Sequence, residues 1–88
     1  MYRIRWQKSV SRKLLEECAT ADSSMLSAIL DAMAEIESQL RNDPEFVGES
    51  RNSSRRFLIV DPLSVTYKID HRQRVVYIIA ARVRRKKN

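Results

Sequence analysis

Residues 56–83 read RFLIVDPLSVTYKIDHRQRVVYIIAARV, and this stretch decides the fold. Its middle part, residues 63–70, alternates Leu, Val, Tyr and Ile with Ser, Thr, Lys and Asp. This two-residue period is typical of a strand that is buried on one face only. Asp61-Pro62 separates it from the strand before, and a polar turn at residues 70–73 separates it from the apolar run at residues 75–83. The stretch therefore predicts a meander of three strands.

The N-terminal half follows a different period. Tyr2, Ile4 and Trp6 alternate with arginines, which predicts a short half-buried strand in which Trp6 is an anchor. From Val10 onward, apolar residues return every three or four positions in two runs, and the second run opens at Asp22. This spacing predicts two amphipathic helices.

Residues 42–54 end the helical part. Pro44 stops the second helix, because proline lacks a backbone N–H and disfavours helix in the residue before it. The following residues 45–54 are mostly polar and surround Gly48, the only glycine of the chain. We expect a loop there.

These elements give an α+β fold in the order β-α-α-β-β-β. We predict a four-stranded, mostly antiparallel sheet with the two N-terminal helices packed on one face. The length of 88 residues predicts a single domain over residues 1–88.

Charge is distributed unevenly along the chain. The first 50 residues carry six basic and nine acidic side chains, a net charge of −3. From Arg51 onward there are eleven basic and two acidic side chains, a net charge of +9. Because the basic part is also the part predicted as strands, the sequence indicates a sheet surface that meets RNA or DNA.

Several classes of protein do not fit the sequence. Cys18 is the only cysteine, so no internal disulfide forms and a reducing compartment is expected. No apolar run reaches membrane-spanning length and the N-terminus lacks a signal-peptide core, so we expect a cytoplasmic protein without membrane contact. Metal-ligand spacing, a phosphate-binding glycine loop and a Ser-His-Asp set are all missing, and we predict neither a metal nor a cofactor.

A group of short motifs carries a family resemblance. The motifs are Asp43-Pro44, Gly48-Glu49-Ser50-Arg51, Arg55-Arg56, Pro62-Leu63, Val65 with Tyr67, and a valine-rich last strand that ends in arginines. In these motifs and in element order the chain resembles the RelE/ParE superfamily, the toxins of type II toxin–antitoxin pairs of the plasmid-stabilisation type. The resemblance implies a toxin that a cognate antitoxin neutralises. RelE-like members are mRNA interferases that cleave mRNA in the ribosomal A site, whereas ParE-like members poison DNA gyrase and are not nucleases.

The resemblance also implies site residues. Arg55 and Arg56 match the basic residues that the family has at the start of its second strand, and Arg84 matches an arginine of the last strand, with Arg82 two residues before it. Arg56 and Arg84 are the catalytic candidates, because a guanidinium can hold a scissile phosphate through two parallel hydrogen bonds. The expected nucleic-acid-binding residues are Arg55, Arg56, Lys68, Arg82 and Arg84.

Two departures from the family pattern leave the activity open. The third strand of the nucleases commonly reads Arg-Leu-Val-Tyr, whereas this chain has Ser64 in place of the arginine. The nucleases also carry a Tyr or His after the last arginine, and this chain ends Arg85-Lys86-Lys87-Asn88. An RNA-directed toxin at the ribosome is our first hypothesis. A gyrase-directed toxin without nuclease activity and an inactive binding module of the same fold are the alternatives.

Other conspicuous residues have ordinary structural explanations. His71 is the only histidine and lies in the turn between two predicted strands, so we expect an exposed turn residue. Tyr67 and Tyr77 alternate with apolar neighbours, and we expect both in the core. The final Arg85, Lys86 and Lys87 form a charge run at a terminus, which is typical of a solvated tail.

Overall fold

The computed structural model describes residues 1–51 and 54–84 of the 88-residue chain. The strands are β1 (Arg3–Trp6), β2 (Glu49–Ser50), β3 (Arg55–Val60), β4 (Leu63–Asp70) and β5 (Val75–Val83). The helices are α1 (Lys8–Thr20), α2 (Ser23–Asn42) and α3 (Pro44–Val47). Among the residues described, no helix combines the length and apolarity needed to cross a membrane. The predicted tail of Arg85, Lys86 and Lys87 lies outside the described residues.

The strands form one mixed sheet in the order β1-β5-β4-β3-β2. The ladders from β2 to β5 are antiparallel, which confirms the meander predicted over residues 56–83. β1 lies parallel to β5, with Arg3 opposite Val75 and Trp6 opposite Ile78. The predicted α+β class is correct, but the sheet has five strands rather than four and is mixed.

The fifth strand and a third helix both arise where a loop was expected, at residues 45–54. Pro44 begins the one-turn helix α3, a position that suits proline because an N–H there would have no helical partner. Glu49 and Ser50 then pair with Phe57 and Arg56 of β3. Two residues with exposed side chains are too few to show a period in the sequence. β2 forms because its backbone can hydrogen-bond to the edge of β3.

The helices α1 and α2 cover one face of the sheet, as predicted. Asp22 caps α2, since its carboxylate accepts a hydrogen bond of 2.8 Å from the backbone N–H of Met25. Trp6 Nε1 donates to Glu37 Oε2 at 2.7 Å, so Trp6 anchors β1 to α2 as expected. The fully buried side chains between helices and sheet are Ile29, Ile36, Leu40, Leu63, Val65, Tyr67, Val76 and Ile78.

Candidate nucleic-acid interface

The face of the sheet opposite the helices carries the basic side chains. In β4, Val65 and Tyr67 are fully buried under the helices. Because side chains alternate along a strand, Ser64, Thr66 and Lys68 point to the other side. Strand pairing places further side chains beside these three. We call this surface the open face, defined by Arg55, Phe57, Ser64, Thr66, Lys68, Tyr77, Ala80 and Arg82. Ile59 and Glu49, which pair with Ser64 and Phe57, share this side of the sheet but line neither of the two cavities described below.

One half of the open face is a cavity of about 570 Å³, which we call the Tyr77 cavity. Lys68 is paired with Arg55 of β3 on one side and with Tyr77 of β5 on the other. Two cations and a phenol ring thus lie side by side in one row that crosses three neighbouring strands. The cavity is lined by Gln7, Arg55, Thr66, Lys68, Tyr77, Ile79 and Ala80.

The other half is a cavity of about 380 Å³, which we call the Phe57 cavity. Lys13 of α1 and Arg82 of β5 are its two cations, so this cavity extends from the open face to α1. Ser64 lies directly opposite Arg82 in the ladder. The cavity is lined by Lys13, Phe57, Ser64, Thr66, Ala80, Ala81 and Arg82. Thr66 and Ala80 line both cavities, so the two are neighbours.

The linings of the two cavities contain four cations and, among the residues described, no carboxylate. No acidic side chain that lines the cavities therefore neutralises the positive charges of Lys13, Arg55, Lys68 and Arg82. Cations in a concave surface raise the local concentration of anions and speed their association. The open face can therefore hold phosphate groups beside two aromatic rings.

Arg56 lies on the helix side of the sheet, opposite Tyr67. Its Nη2 donates a hydrogen bond of 2.6 Å to the carbonyl of Gly48, and its Nε is buried without a hydrogen-bond partner among the described residues. The Tyr67 hydroxyl donates to the carbonyl of Pro44 at 2.6 Å. Arg56 and Tyr67 together hold α3 and β2 against the sheet, and Arg56 lines neither cavity of the open face.

Position 48 requires glycine because the packing leaves no space for a side chain, and not because of the backbone conformation. A Cβ at this position would lie 2.9 Å from the carbonyl oxygen of Phe57 and would collide with the Tyr67 hydroxyl. Its φ of −109° is open to any residue. The absence of a side chain at Gly48 therefore allows the backbone to pass close to Tyr67.

Burial raises the pKa of the Tyr67 phenol above its ordinary value of 10.0, although the Arg56 guanidinium and the Gly48 backbone act in the opposite direction. A phenol whose pKa is higher in the folded state than in the unfolded state stabilises the fold fully below about pH 10, and this stabilisation is lost as the pH rises through the folded-state pKa.

We expect the urea midpoint of unfolding to fall above about pH 10, and to fall less in Tyr67→Phe. Equal falls in both proteins would contradict this assignment.

Arg84 follows β5 and lines neither cavity of the open face. Its backbone N–H donates to the carbonyl of Pro62 at 2.6 Å. Arg84 lines a cavity of about 590 Å³ together with Asp61, Pro62 and the facing ends of α1 and α2. Arg82 lines the Phe57 cavity and Arg84 lines neither cavity of the open face, and the alignment of the two on one face stays a prediction.

Of the five predicted site residues, the structure brings together Arg55, Lys68 and Arg82. It adds Phe57, Tyr77 and Lys13, which the sequence interpretation did not include. Both Phe57 and Tyr77 are half-buried.

Tyr77 was expected in the core, and a β-bulge explains why this is wrong. Tyr67 pairs with Ile78 while Thr66 pairs with Ala80, so Ile79 is an extra residue in β5. The extra residue inverts the alternation, and Tyr77 therefore shares the open face with Ala80. Tyr67, by contrast, is fully buried as expected. A pattern of Val, Ile and Ala around Tyr77 gives no sequence signal of the bulge.

His71 lies in the turn after β4, as expected. Its Nδ1 is 3.0 Å from the Tyr2 hydroxyl, and its Nε2 is 3.1 Å from Oε1 of Glu45. These contacts join the turn to α3 and to Tyr2, the residue before β1, and His71 lines neither cavity of the open face. Within the described ranges, no group of three or more His, Cys, Asp or Glu side chains could hold a metal ion.

Comparison with known proteins identifies the fold. No protein-family model matches the chain, and no curated protein is similar to it in sequence. The RelBE2 toxin–antitoxin complex of Mycobacterium tuberculosis contains a chain that matches with a TM-score of 0.68 and 20% identity, covering 94% of this chain and 98% of that one. The isolated RelE toxin of Escherichia coli matches with a TM-score of 0.60 and 12% identity, covering 99% and 88%. This chain has the RelE fold.

The match extends to an archaeal member of the RelE fold. A chain of the RelE–RelB complex of Pyrococcus horikoshii matches with a TM-score of 0.53 and 13% identity, covering 98% of each chain. Bacterial and archaeal structures are thus alike over almost the whole of this chain. The resemblance read from the motifs at residues 43–84 is therefore confirmed at the level of the fold.

Proposed function

We propose that this chain is the toxin component of a type II toxin–antitoxin pair and that its open face binds RNA at the ribosome. The observation that carries the proposal is the composition of the two adjoining cavities. They contain four cations and two aromatic rings, and their linings contain no carboxylate. The cations of such a surface attract phosphates, and unpaired bases can stack on its rings. The RelE fold supports the toxin part of the proposal.

Cleavage of RNA through its 2′-hydroxyl would need a base, a clamp for the negative charge on the phosphate, and an acid for the leaving oxygen. Arg55, Lys68 and Arg82 are suited to the clamp. Ser64 occupies the position at which the nuclease pattern has an arginine, and Arg82 lies directly opposite it in the ladder. We propose that Arg82 supplies the cation that Ser64 lacks.

We also propose a cognate antitoxin as the partner. The M. tuberculosis structure is a toxin–antitoxin complex, and the P. horikoshii structure is a complex of RelE with RelB. Large apolar side chains of this chain remain exposed on its helices, namely Leu15, Leu30 and Phe46. Exposed apolar residues of this kind suit a protein partner that covers them.

One observation favours a second candidate, a gyrase-directed toxin without nuclease activity. A toxin that does not cleave RNA has no need of the third-strand arginine, and Ser64 stands in that position. On this alternative the open face would contact the DNA that gyrase holds, because phosphate recognition by cations is common to both nucleic acids. An inactive binding module of the same fold is the third possibility.

Induction in bacterial cells separates the three functions. For the ribosome-directed toxin, we expect incorporation of labelled amino acids to fall within minutes, before DNA synthesis changes. The Arg55→Ala/Lys68→Ala variant, expressed to the same level, should reduce this effect. New mRNA 5′ ends that map within codons would then establish cleavage.

Other outcomes of the same experiment contradict the proposal. Unchanged incorporation together with trapped gyrase cleavage products, or arrested plasmid relaxation, would indicate the gyrase-directed toxin. Normal growth at every level of expression would indicate the inactive module.

A further inference from the structure

The two cavities of the open face are built alike. Each has one aromatic ring and two cations: Tyr77 with Arg55 and Lys68 in one, and Phe57 with Lys13 and Arg82 in the other. We propose that the open face holds two neighbouring nucleotides of single-stranded RNA, with one base stacked on Phe57 and the other on Tyr77. This inference rests on the proposed RNA-binding function and specifies its ligand.

The strand register gives the spacing of the two rings. Phe57 lies in the row Phe57–Thr66–Ala80, and Tyr77 lies in the row Arg55–Lys68–Tyr77. The rings are thus two strands apart across the sheet and two residues apart along it, which amounts to about 12 Å between their Cα atoms. Stacked neighbouring bases are only about 3.4 Å apart along a strand. The two bases must therefore be splayed, as they are in sequence-specific complexes with unpaired RNA.

Each cavity has the size and the polar groups for one nucleotide. Volumes of about 380 and 570 Å³ fall within the range of small-molecule sites. Thr66 lies between the two cavities, and Ser64 lines the Phe57 cavity although it is only 7% exposed. Both hydroxyl groups can donate or accept hydrogen bonds, and we propose that they contact the polar edges of the bound bases.

Arg51 orients the Phe57 ring from outside the cavity. Its guanidinium carbon lies 5.0 Å from the ring centroid, and its Nη1 lies 3.1 Å from Oε2 of Glu49. Cation–π attraction of this kind restrains the ring. The guanidinium lies over one face of the ring, and Arg51 does not line the Phe57 cavity, so we propose that the base stacks on the opposite face of the ring.

The arrangement favours single strands over a duplex. Rings that alternate with cations are the usual means of binding unpaired nucleic acid, since each base offers a stacking face and each phosphate a charge. In a duplex the bases are already stacked on one another. We therefore expect a single strand to bind more tightly than a hairpin duplex of equal phosphate number.

The test measures how much the bases contribute to affinity. Fluorescence anisotropy of the full chain would compare a labelled 2′-O-methyl hexauridylate, which cannot be cleaved, with a hexamer of equal phosphate number that lacks its bases. Phe57→Leu and Tyr77→Leu remove one ring each and keep an apolar side chain. We expect each to weaken binding of the intact hexamer about five- to tenfold and to leave binding of the abasic hexamer unchanged.

Ring-retaining variants complete the test. Phe57→Tyr and Tyr77→Phe should keep the affinity that the leucine variants lose, and circular dichroism melts would verify that every variant is folded. Equal affinity of the wild-type chain for intact and abasic hexamers would overturn the two-nucleotide inference while RNA binding itself stands. Failure of the wild-type chain to bind either hexamer at low salt would instead contradict the proposed RNA-binding function, and the inference with it.

Discussion

Replacing Tyr67 with alanine should lower the free energy of unfolding by about 4 kcal/mol or more, the largest effect on stability that we expect from a single substitution. Tyr67 is fully buried, and its ring fills space between α2, α3 and the sheet. Removal of a large aromatic side chain from a core costs about 3–5 kcal/mol. Loss of its hydroxyl also leaves the carbonyl of Pro44 without its donor, which adds about 1–3 kcal/mol. Domains of this size are stable by only about 5–15 kcal/mol.

Urea denaturation would measure this effect, and two conservative variants would divide it into parts. Tyr67→Phe removes only the hydroxyl, and we expect a loss of about 1–3 kcal/mol. Tyr77→Phe makes the same chemical change on the open face, where no buried partner is lost, and should change stability by less than about 0.5 kcal/mol. Equal losses in these two phenylalanine variants would contradict the role that we assign to the Tyr67–Pro44 hydrogen bond.

Removing Arg55 and Lys68 together should weaken binding of single-stranded RNA about 25-fold at about 0.1 M salt. Each cation that contacts a phosphate releases a counterion, and the logarithm of affinity for single strands falls by about 0.7 per contact for each tenfold rise in salt. Two lost contacts should therefore make the salt slope shallower by about 1.4. Anisotropy titrations of Arg55→Ala/Lys68→Ala at several salt concentrations measure both quantities.

The turn between β4 and β5 offers a matched control for this experiment. Arg72 and Arg74 are exposed, line neither cavity of the open face, and carry the same two charges. Arg72→Ala/Arg74→Ala should lower affinity by less than about threefold, since only the net charge of the chain changes. If the two double variants weaken binding equally, affinity depends on net charge alone and the open face is not the binding surface.

The elements with strong periodicity could be predicted from the sequence because each has a burial pattern of its own. The alternation in residues 63–70 indicated β4 and showed that Lys68 and Ser64 share a face. The carboxylate of Asp22 indicated the start of α2, and its hydrogen bond to the Met25 N–H confirms this. These signals depend on residues close in sequence, so no knowledge of the tertiary structure was needed.

The composition of the candidate site was harder to predict. Arg55 was identified through the family resemblance, Arg82 as the residue two positions before the matched Arg84, and Lys68 because it shares a strand face with Ser64. Arg56 was grouped with them, although it is the neighbour of Arg55 and so points to the opposite side of the sheet. Phe57 and Tyr77 gave no signal of their own, because an aromatic residue in a strand is most often part of a core.

The sequence by itself determined the order of the main elements, the α+β class, the meander and the basic character of the C-terminal strands. These properties follow from local period and composition. The tertiary structure alone decided the parallel pairing of β1 with β5, the two-residue strand β2, and the bulge that places Tyr77 on the open face. Each of these depends on hydrogen bonds between the backbones of different strands, and backbone hydrogen-bonding groups are the same for every residue type except proline. The pattern of side chains in the sequence therefore does not predict which strands will pair.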